Sequence, residues 1–149
     1  MHLKRWLTSI VAAPVLSVLI LFGPMASFVA LIAIVGAIAT YEYFFILFAG
    51  EQNRIFSPVP AWCAFCGLLI LVAAGMLRLD LLFLLVWLGF AGMAVLSMHR
   101  FSAASGREIM TLVAGGTQFL VYIPIPLAAL ILLRGQPDGV AWIFFLGFI

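Results

Sequence analysis

The chain has 149 residues, of which 67% are hydrophobic and 8% are charged, and its formal net charge is +2. About a quarter of the residues in a soluble domain are charged, and a chain this short has no interior large enough to bury so much apolar surface. The composition therefore excludes a soluble globular domain. The small net charge and the absence of a basic patch with interleaved aromatic residues exclude a nucleic-acid partner.

The apolar residues form long continuous runs instead of alternating with polar ones, which predicts membrane-spanning helices and not a β-barrel. A helix needs about 20 apolar residues to cross the hydrocarbon core. Five predicted spans follow one another along the chain: Trp6–Phe22, Met25–Phe48, Ala61–Leu77, Leu81–Met98 and Ile109–Leu133. The first follows a basic start and is predicted to be an uncleaved span.

The last apolar run, Gly139–Ile149, has only 11 residues. A helix of that length rises about 16 Å, which is about half of the hydrocarbon thickness. Either the sixth span is cut short or this segment does not cross the bilayer, and we expect five full spans and a truncated sixth. The predicted fold class is all-α, with one polytopic transmembrane domain over residues 1–149. Pro124 and Pro126 interrupt the fifth span and predict a kink there.

The basic residues predict the orientation of the spans, because cytoplasmic loops carry an excess of lysine and arginine. An N-terminus on the cytoplasmic side gives that side five basic residues and the other side two. The five are Lys4, Arg5, Arg54, Arg100 and Arg107, and the two are Arg78 and Arg134. The chain is therefore predicted to lie with its N-terminus in the cytoplasm.

Glu42 is the one ionisable residue well inside a predicted span. Carboxylates in a membrane are costly, and they usually face the interior of a helix bundle. Two interpretations stay open, a functional carboxylate or a structural hydrogen bond to another helix. Arg100 and Arg107 flank the longest polar loop, where they contact either phospholipid headgroups or the phosphate of an anionic substrate.

The sequence predicts no metal site. All five acidic residues are isolated from one another, whereas metal-assisted phosphoryl chemistry needs clustered oxygen ligands. Cys63 and Cys66 are neighbours on one helix face, but they lack the further ligands of a zinc site. We interpret them as small packing residues. No catalytic residue is predicted within the chain.

The order of these features resembles the N-terminal transmembrane portion of the phosphatidate cytidylyltransferase (CDP-diacylglycerol synthase) family. The resemblance rests on the run from Leu3 to Ile10 with Pro14, on the turn at Phe22-Gly23-Pro24, and on Tyr41-Glu42-Tyr43-Phe44. Later it rests on Tyr122-Ile123-Pro124, on Leu132-Leu133-Arg134, and on the segment from Gly139 to Phe145. It covers essentially the whole chain.

The resemblance implies a bacterial inner-membrane protein of phospholipid biosynthesis. The family joins CTP to phosphatidic acid, giving CDP-diacylglycerol and pyrophosphate, with a divalent metal such as Mg²⁺. The family's acidic Asp-x-x-Ala-Tyr motif and its lysine-rich motifs would lie beyond Ile149, so no catalytic or metal residue is carried over. Glu42 and Arg5 match markers of the N-terminal half.

The resemblance further implies that this chain alone is inactive and holds no cofactor. Phosphatidic acid is then a partner of this portion, whereas CTP binds only with the missing half. A separate C-terminal polypeptide or a homo-oligomer is a further possible partner. The alternative is a non-enzymatic accessory subunit or a small transporter component, with Glu42 as its ion or proton site.

Overall fold

A computed structural model describes residues 17–18, 20–48, 57–99 and 106–148, and every regular element in them is helical. Residues 20–22 are helical and are followed by a break at Gly23-Pro24. The named helices are α1 (Met25–Leu47), α2 (Pro58–Gly75), α3 (Leu79–His99), α4 (Gly106–Tyr122), α5 (Pro124–Arg134) and α6 (Gly139–Phe148). The all-α prediction is confirmed for these residues.

Four helical stretches are long and apolar enough to cross a membrane. Three of them are α1, α2 and α3, with 23, 18 and 21 residues, and the fourth runs from Ile109 to Arg134 through α4 and α5. They correspond to the second to fifth predicted spans and indicate an integral membrane protein. The predicted total of five spans and a partial sixth is not confirmed. The first predicted span lies mostly outside the described residues, and α6 has only 10 residues.

Helix α2 begins three residues before the predicted third span, because two prolines lie inside its first turn instead of in the preceding loop. Pro58 is the first residue of the helix and Pro60 the third. A proline fits there because the first amides of a helix have no partner within it, so its missing N–H costs nothing. The predicted span began after both prolines, whereas they form the first turn of the helix.

The end of α2 is a Schellman motif with an unusual residue. The Leu77 amide donates to the Ala74 carbonyl at 3.0 Å, and the Arg78 amide donates to the Ala73 carbonyl at 3.2 Å. Leu77 has a φ of 54°, a left-handed conformation in which glycine is the usual residue. This motif makes the turn into α3 only three residues long.

The fifth predicted span is interrupted at Ile123, a turn residue between α4 and α5. Pro124 and Pro126 open α5 and lack the N–H groups that would continue the hydrogen-bond ladder of α4. The Ile123 amide still donates to the Phe119 carbonyl at 3.0 Å. The two short helices therefore follow one another across the bundle.

Helix α2 lies at the centre of the bundle. It packs against α1, α3, α4 and α5, whereas α6 packs against α5. Half of the residues in the apolar stretch of α2 are buried, compared with 17% to 33% in the other three candidate spans. The largest fully buried side chains include Phe119, Ile70 and Leu71.

The outer faces of the helices are apolar as well. On α3, Phe83 is 70% exposed and Trp87 is 77% exposed. A water-soluble monomer rarely exposes a continuous apolar surface of this kind. These side chains are accommodated when the bundle is surrounded by lipid.

The candidate spans α1, α2, α3 and α4–α5 alternate in direction, with α4 and α5 together making one crossing, so the bundle has two ends. We name them by one arginine each. The Arg134 end is where α1 begins, α2 ends, α3 begins and α5 ends. The Arg107 end is where α1 ends, α2 begins, α3 ends and α4 begins.

Candidate functional site

The structure separates the residues that the sequence singled out. Arg5 and Arg100 lie outside the described residues. Glu42 and Arg107 both belong to the Arg107 end, and both side chains are exposed. No hydrogen bond or ion pair joins Glu42 to Arg107. The described residues therefore do not assemble these candidates into one site.

Glu42 lies on the outer face of α1, and not on the inner face that is usual for a carboxylate in a membrane. The cause is its position in the helical turn. Phe28, Ile32, Gly36 and Phe44 are the buried residues of α1 and form its inner stripe. Since successive residues of a helix are about 100° apart, Glu42 points away from that stripe. A structural hydrogen bond from Glu42 to another helix of the described bundle is not formed.

The polar contact in this part of the bundle is made by the neighbouring Tyr43. Its hydroxyl donates to the Gly115 carbonyl of α4 at 2.8 Å and lies 3.5 Å from the Gln118 side-chain oxygen. Its ring lies 5.8 Å from that of Phe119, between centroids. A β-carbon at Gly115 would meet the Leu47 side chain at 2.5 Å. Glycine there lets α4 approach α1 closely enough for the hydrogen bond.

Sequence reasoning missed this contact, although the sequence carries a signal for it. Tyr43 is a polar side chain within an apolar span, and Gly115 and Gln118 are one turn apart on a later span. Polar groups in a bilayer seek partners on other helices. That pattern identifies the participants, but it does not identify which of them pair.

A small crevice lies beside the break between α4 and α5. Its walls include Gly36 and Thr40 of α1, Gly67 of α2, and Pro124 of α5. The Thr40 hydroxyl donates back to the Gly36 carbonyl at 2.6 Å. The volume of the crevice is about 10 Å³, which leaves room for no more than one water molecule. It is too small for a ligand.

The cysteines occupy packing positions in the centre of the bundle. Cys63 and Cys66 are free and fully buried on α2. The Cys63 sulfur lies beside Gly116 of α4, and the Cys66 β-carbon lies beside Gly89 of α3. The described residues contain no group of three or more histidine, cysteine or acidic side chains that could hold a metal ion. They therefore offer no fit to a divalent metal.

The Arg134 end carries a second polar arrangement, which sequence reasoning treated only as a marker of topology. Arg134 is half-buried, and its Nη2 donates to the Gly23 carbonyl at 3.0 Å. Its guanidinium carbon lies 5.6 Å from the centre of the Phe28 ring. An open cleft of about 380 Å³ lies beside it, lined by Met25, Leu77, Arg134 and Gly135.

Arg78 and Asp80 form an exposed ion pair at the same end, with Arg78 Nη2 and Asp80 Oδ2 separated by 2.7 Å. Hydrogen bonding to the Asp80 carboxylate raises the pKa of the Arg78 guanidinium. Exposed pairs of this kind contribute little to stability. The two charges neutralise each other and leave Arg134 as a separate cation.

Comparison with known proteins identifies no relative: no known family, no curated protein and no solved structure matches the chain. The family resemblance therefore rests on the residues quoted above.

Proposed function

We propose that this chain is the membrane-embedded portion of a phosphatidate cytidylyltransferase, an enzyme of phospholipid biosynthesis that joins CTP to phosphatidic acid. One observation carries the proposal: the sequence markers of that family occur in order along a chain with four apolar helical stretches. In the described bundle, Tyr122-Ile123-Pro124 falls at the helix break and Arg134 ends α5. Helix α6 then begins at Gly139, after a short polar turn.

The proposed orientation has the Arg107 end in the cytoplasm of a bacterial cell. The excess of basic residues supports it: Arg107, with Lys4, Arg5, Arg54 and Arg100 in the neighbouring sequence, would lie on that side. Arg78 and Arg134 would lie on the opposite side. In this arrangement α6 runs from the Arg134 end back toward the cytoplasm, where CTP is found.

The role assigned to this chain is to hold the lipid substrate. The acyl chains of phosphatidic acid would lie against the apolar outer faces of the helices, and its phosphate would meet Arg107 and the neighbouring basic residues. Arginine pairs with phosphate through charge-assisted hydrogen bonds. Because the described residues do not fit a divalent metal, we assign no metal-dependent step to them. The residues that bind CTP and metal would be those of the family's acidic and lysine-rich motifs, which are absent from these 149 residues.

The test is a cytidylyltransferase assay with CTP and phosphatidic acid in mixed micelles. The purified chain alone should release no pyrophosphate, whereas co-expression with a polypeptide that carries the acidic and lysine-rich motifs should give turnover. In that complex, Arg107→Gln should raise the KM for phosphatidic acid, and Arg78→Gln, at the opposite end, should not. Conversion of CTP and phosphatidic acid by the chain alone would contradict the assigned role. Absence of that activity in the co-expressed complex would refute the proposal.

The exposed side chain of Glu42 favours an alternative, a non-enzymatic accessory subunit or small transporter component. A carboxylate on the outer face of a membrane helix is costly, and an ion or a polar partner there would reduce that cost. Proton flux into liposomes that contain the protein, followed with a pH-sensitive dye, tests this alternative. It predicts that Glu42→Gln abolishes the flux, and a flux unchanged by the substitution excludes it.

A further inference from the structure

Among the described residues, the groups that contact the guanidinium of Arg134 are neutral. Its Nη2 donates to the Gly23 carbonyl, and the plane of the Phe28 ring lies nearby. The Nε atom is buried and donates no hydrogen bond to any described residue. A guanidinium has five N–H donors in a fixed fork. The buried Nε–H is closed to an outside group, so an anion would bind the Nη groups, which among the described residues donate to Gly23.

No carboxylate of the described residues forms an ion pair with Arg134. Asp80 is paired with Arg78, and the exposed Asp138 makes no ion pair with either arginine. The charge of Arg134 is therefore not neutralised by a contact within the described bundle. A half-buried arginine in that condition favours an anion from outside the chain.

The cleft beside Arg134 suits an anionic group. Its volume of about 380 Å³ lies within the range of small-molecule sites. Met25, the first residue of α1, lines it, and Pro24 before it supplies no side-chain hydrogen bond to the first turn. No acidic residue occupies that turn. The first amides of α1 carry a partial positive charge, as Arg134 does. The last carbonyls of α2 and α5 lie at the same end and carry a partial negative charge, so Arg134 supplies the one full positive charge among the residues that line the cleft.

We propose that this cleft binds the phosphate of an anionic membrane phospholipid. Two walls of the cleft, Met25 and Leu77, are apolar, and it lies where membrane-spanning helices end. A lipid therefore places its phosphate against Arg134 while its glycerol and first methylenes contact the two apolar walls. The site lies at the opposite end of the bundle from Arg107 and is separate from the substrate contact proposed above.

The test is a lipid titration of the purified full chain in neutral detergent, with bound lipids counted by native mass spectrometry. Wild-type protein should bind phosphatidylglycerol more tightly than zwitterionic phosphatidylcholine. Arg134→Gln should weaken phosphatidylglycerol binding at least about tenfold, the usual effect of losing a charge-assisted contact. Arg78→Gln is the matched control, because it removes an exposed arginine from the same end, and it should leave binding unchanged.

A second variant keeps the proposal testable if Arg134→Gln does not fold. Met25→Glu leaves Arg134 in place and adds a carboxylate to the cleft, at a helix start where an acidic residue is well tolerated. Met25→Glu should weaken phosphatidylglycerol binding as strongly as Arg134→Gln does. Its helical circular dichroism should match that of the wild type, which would show that the variant is folded. The proposal would be overturned if Met25→Glu bound phosphatidylglycerol as tightly as the wild type does. It would also be overturned if the wild type bound the two lipids with equal affinity. Displacement of the lipid by inorganic phosphate at equal concentration would instead identify free phosphate as the ligand. These outcomes do not depend on cytidylyltransferase activity.

Discussion

Replacement of Phe119 by alanine tests the packing at the centre of the bundle. Phe119 on α4 is fully buried, and its ring centroid lies 5.1 Å from that of Phe44 and 5.8 Å from that of Tyr43. A β-carbon at Gly67 of α2 would lie 3.4 Å from the Phe119 ring. The side chain therefore joins three helices, and its removal leaves a cavity between them.

The expected cost follows from the cavity and the lost aromatic contacts. Phenylalanine exceeds alanine by roughly 100 Å³, which at about 24 cal/mol per Å³ gives about 2.4 kcal/mol. Lost aromatic pairing adds about 0.5–1.5 kcal/mol. In a soluble protein, unfolding would also move the ring from the core into water, at a further cost in free energy. Here that contribution is absent, because unfolding leaves the ring in lipid that is as apolar as the core. We expect Phe119→Ala to lower the free energy of unfolding by about 3 kcal/mol.

The measurement is unfolding by sodium dodecyl sulfate in mixed micelles, followed by circular dichroism. Phe83→Ala is the matched control, since Phe83 lies on a membrane helix but is 70% exposed. Its ring contacts lipid before and after unfolding, so the change should be within about 0.5 kcal/mol. An equal cost for the two substitutions would refute the assignment of inner and outer faces.

Three further substitutions test single contacts in the same unfolding assay. Tyr43→Phe removes the hydrogen bond to the α4 backbone and should lower the free energy of unfolding by about 1 kcal/mol. Tyr41→Phe is the control at an exposed position and should leave that free energy unchanged. Equal changes for the two variants would contradict the hydrogen bond. Leu77→Gly removes the steric strain of the left-handed conformation at this position and should stabilise the protein by about 1 kcal/mol. Destabilisation would show that the lost contacts of the Leu77 side chain outweigh that strain. Gly92→Ala places a methyl against the Trp62 indole and should cost about 1–3 kcal/mol, so a neutral result would exclude that close approach.

The sequence was sufficient to locate the four helical stretches that are long and apolar enough to cross a membrane, because the length and hydropathy of each apolar run can be read along the chain. The predicted span Met25–Phe48 differs from α1 by one residue at its end, and the proline break in the fifth span was expected. The start of α2 was placed three residues too late, because the predicted span left out Pro58 and Pro60, although proline fits well in the first turn of a helix.

The sequence was not sufficient to assign the inner and outer faces of the helices. In lipid, both faces of a span are apolar, so the pattern that distinguishes buried from exposed positions in a soluble helix is absent. Glu42 and Tyr43 are adjacent and both polar, yet one is exposed and the other bonds to α4. The role of Arg134 was missed for a related reason, since its contacts with Gly23 and Phe28 depend on how distant segments pack.

The central position of α2 has a consequence for the order in which the bundle assembles. Helices α1, α2 and α3 are consecutive, so two of the contacts of α2 can form as soon as α3 has left the ribosome. Helix α5 follows α2 by about 3 to 12 seconds at ordinary rates of synthesis. During that interval lipid must occupy the surface of α2 that later carries α4 and α5. Completion of the bundle is then an exchange of lipid for protein, and lipids that bind that surface tightly should delay it.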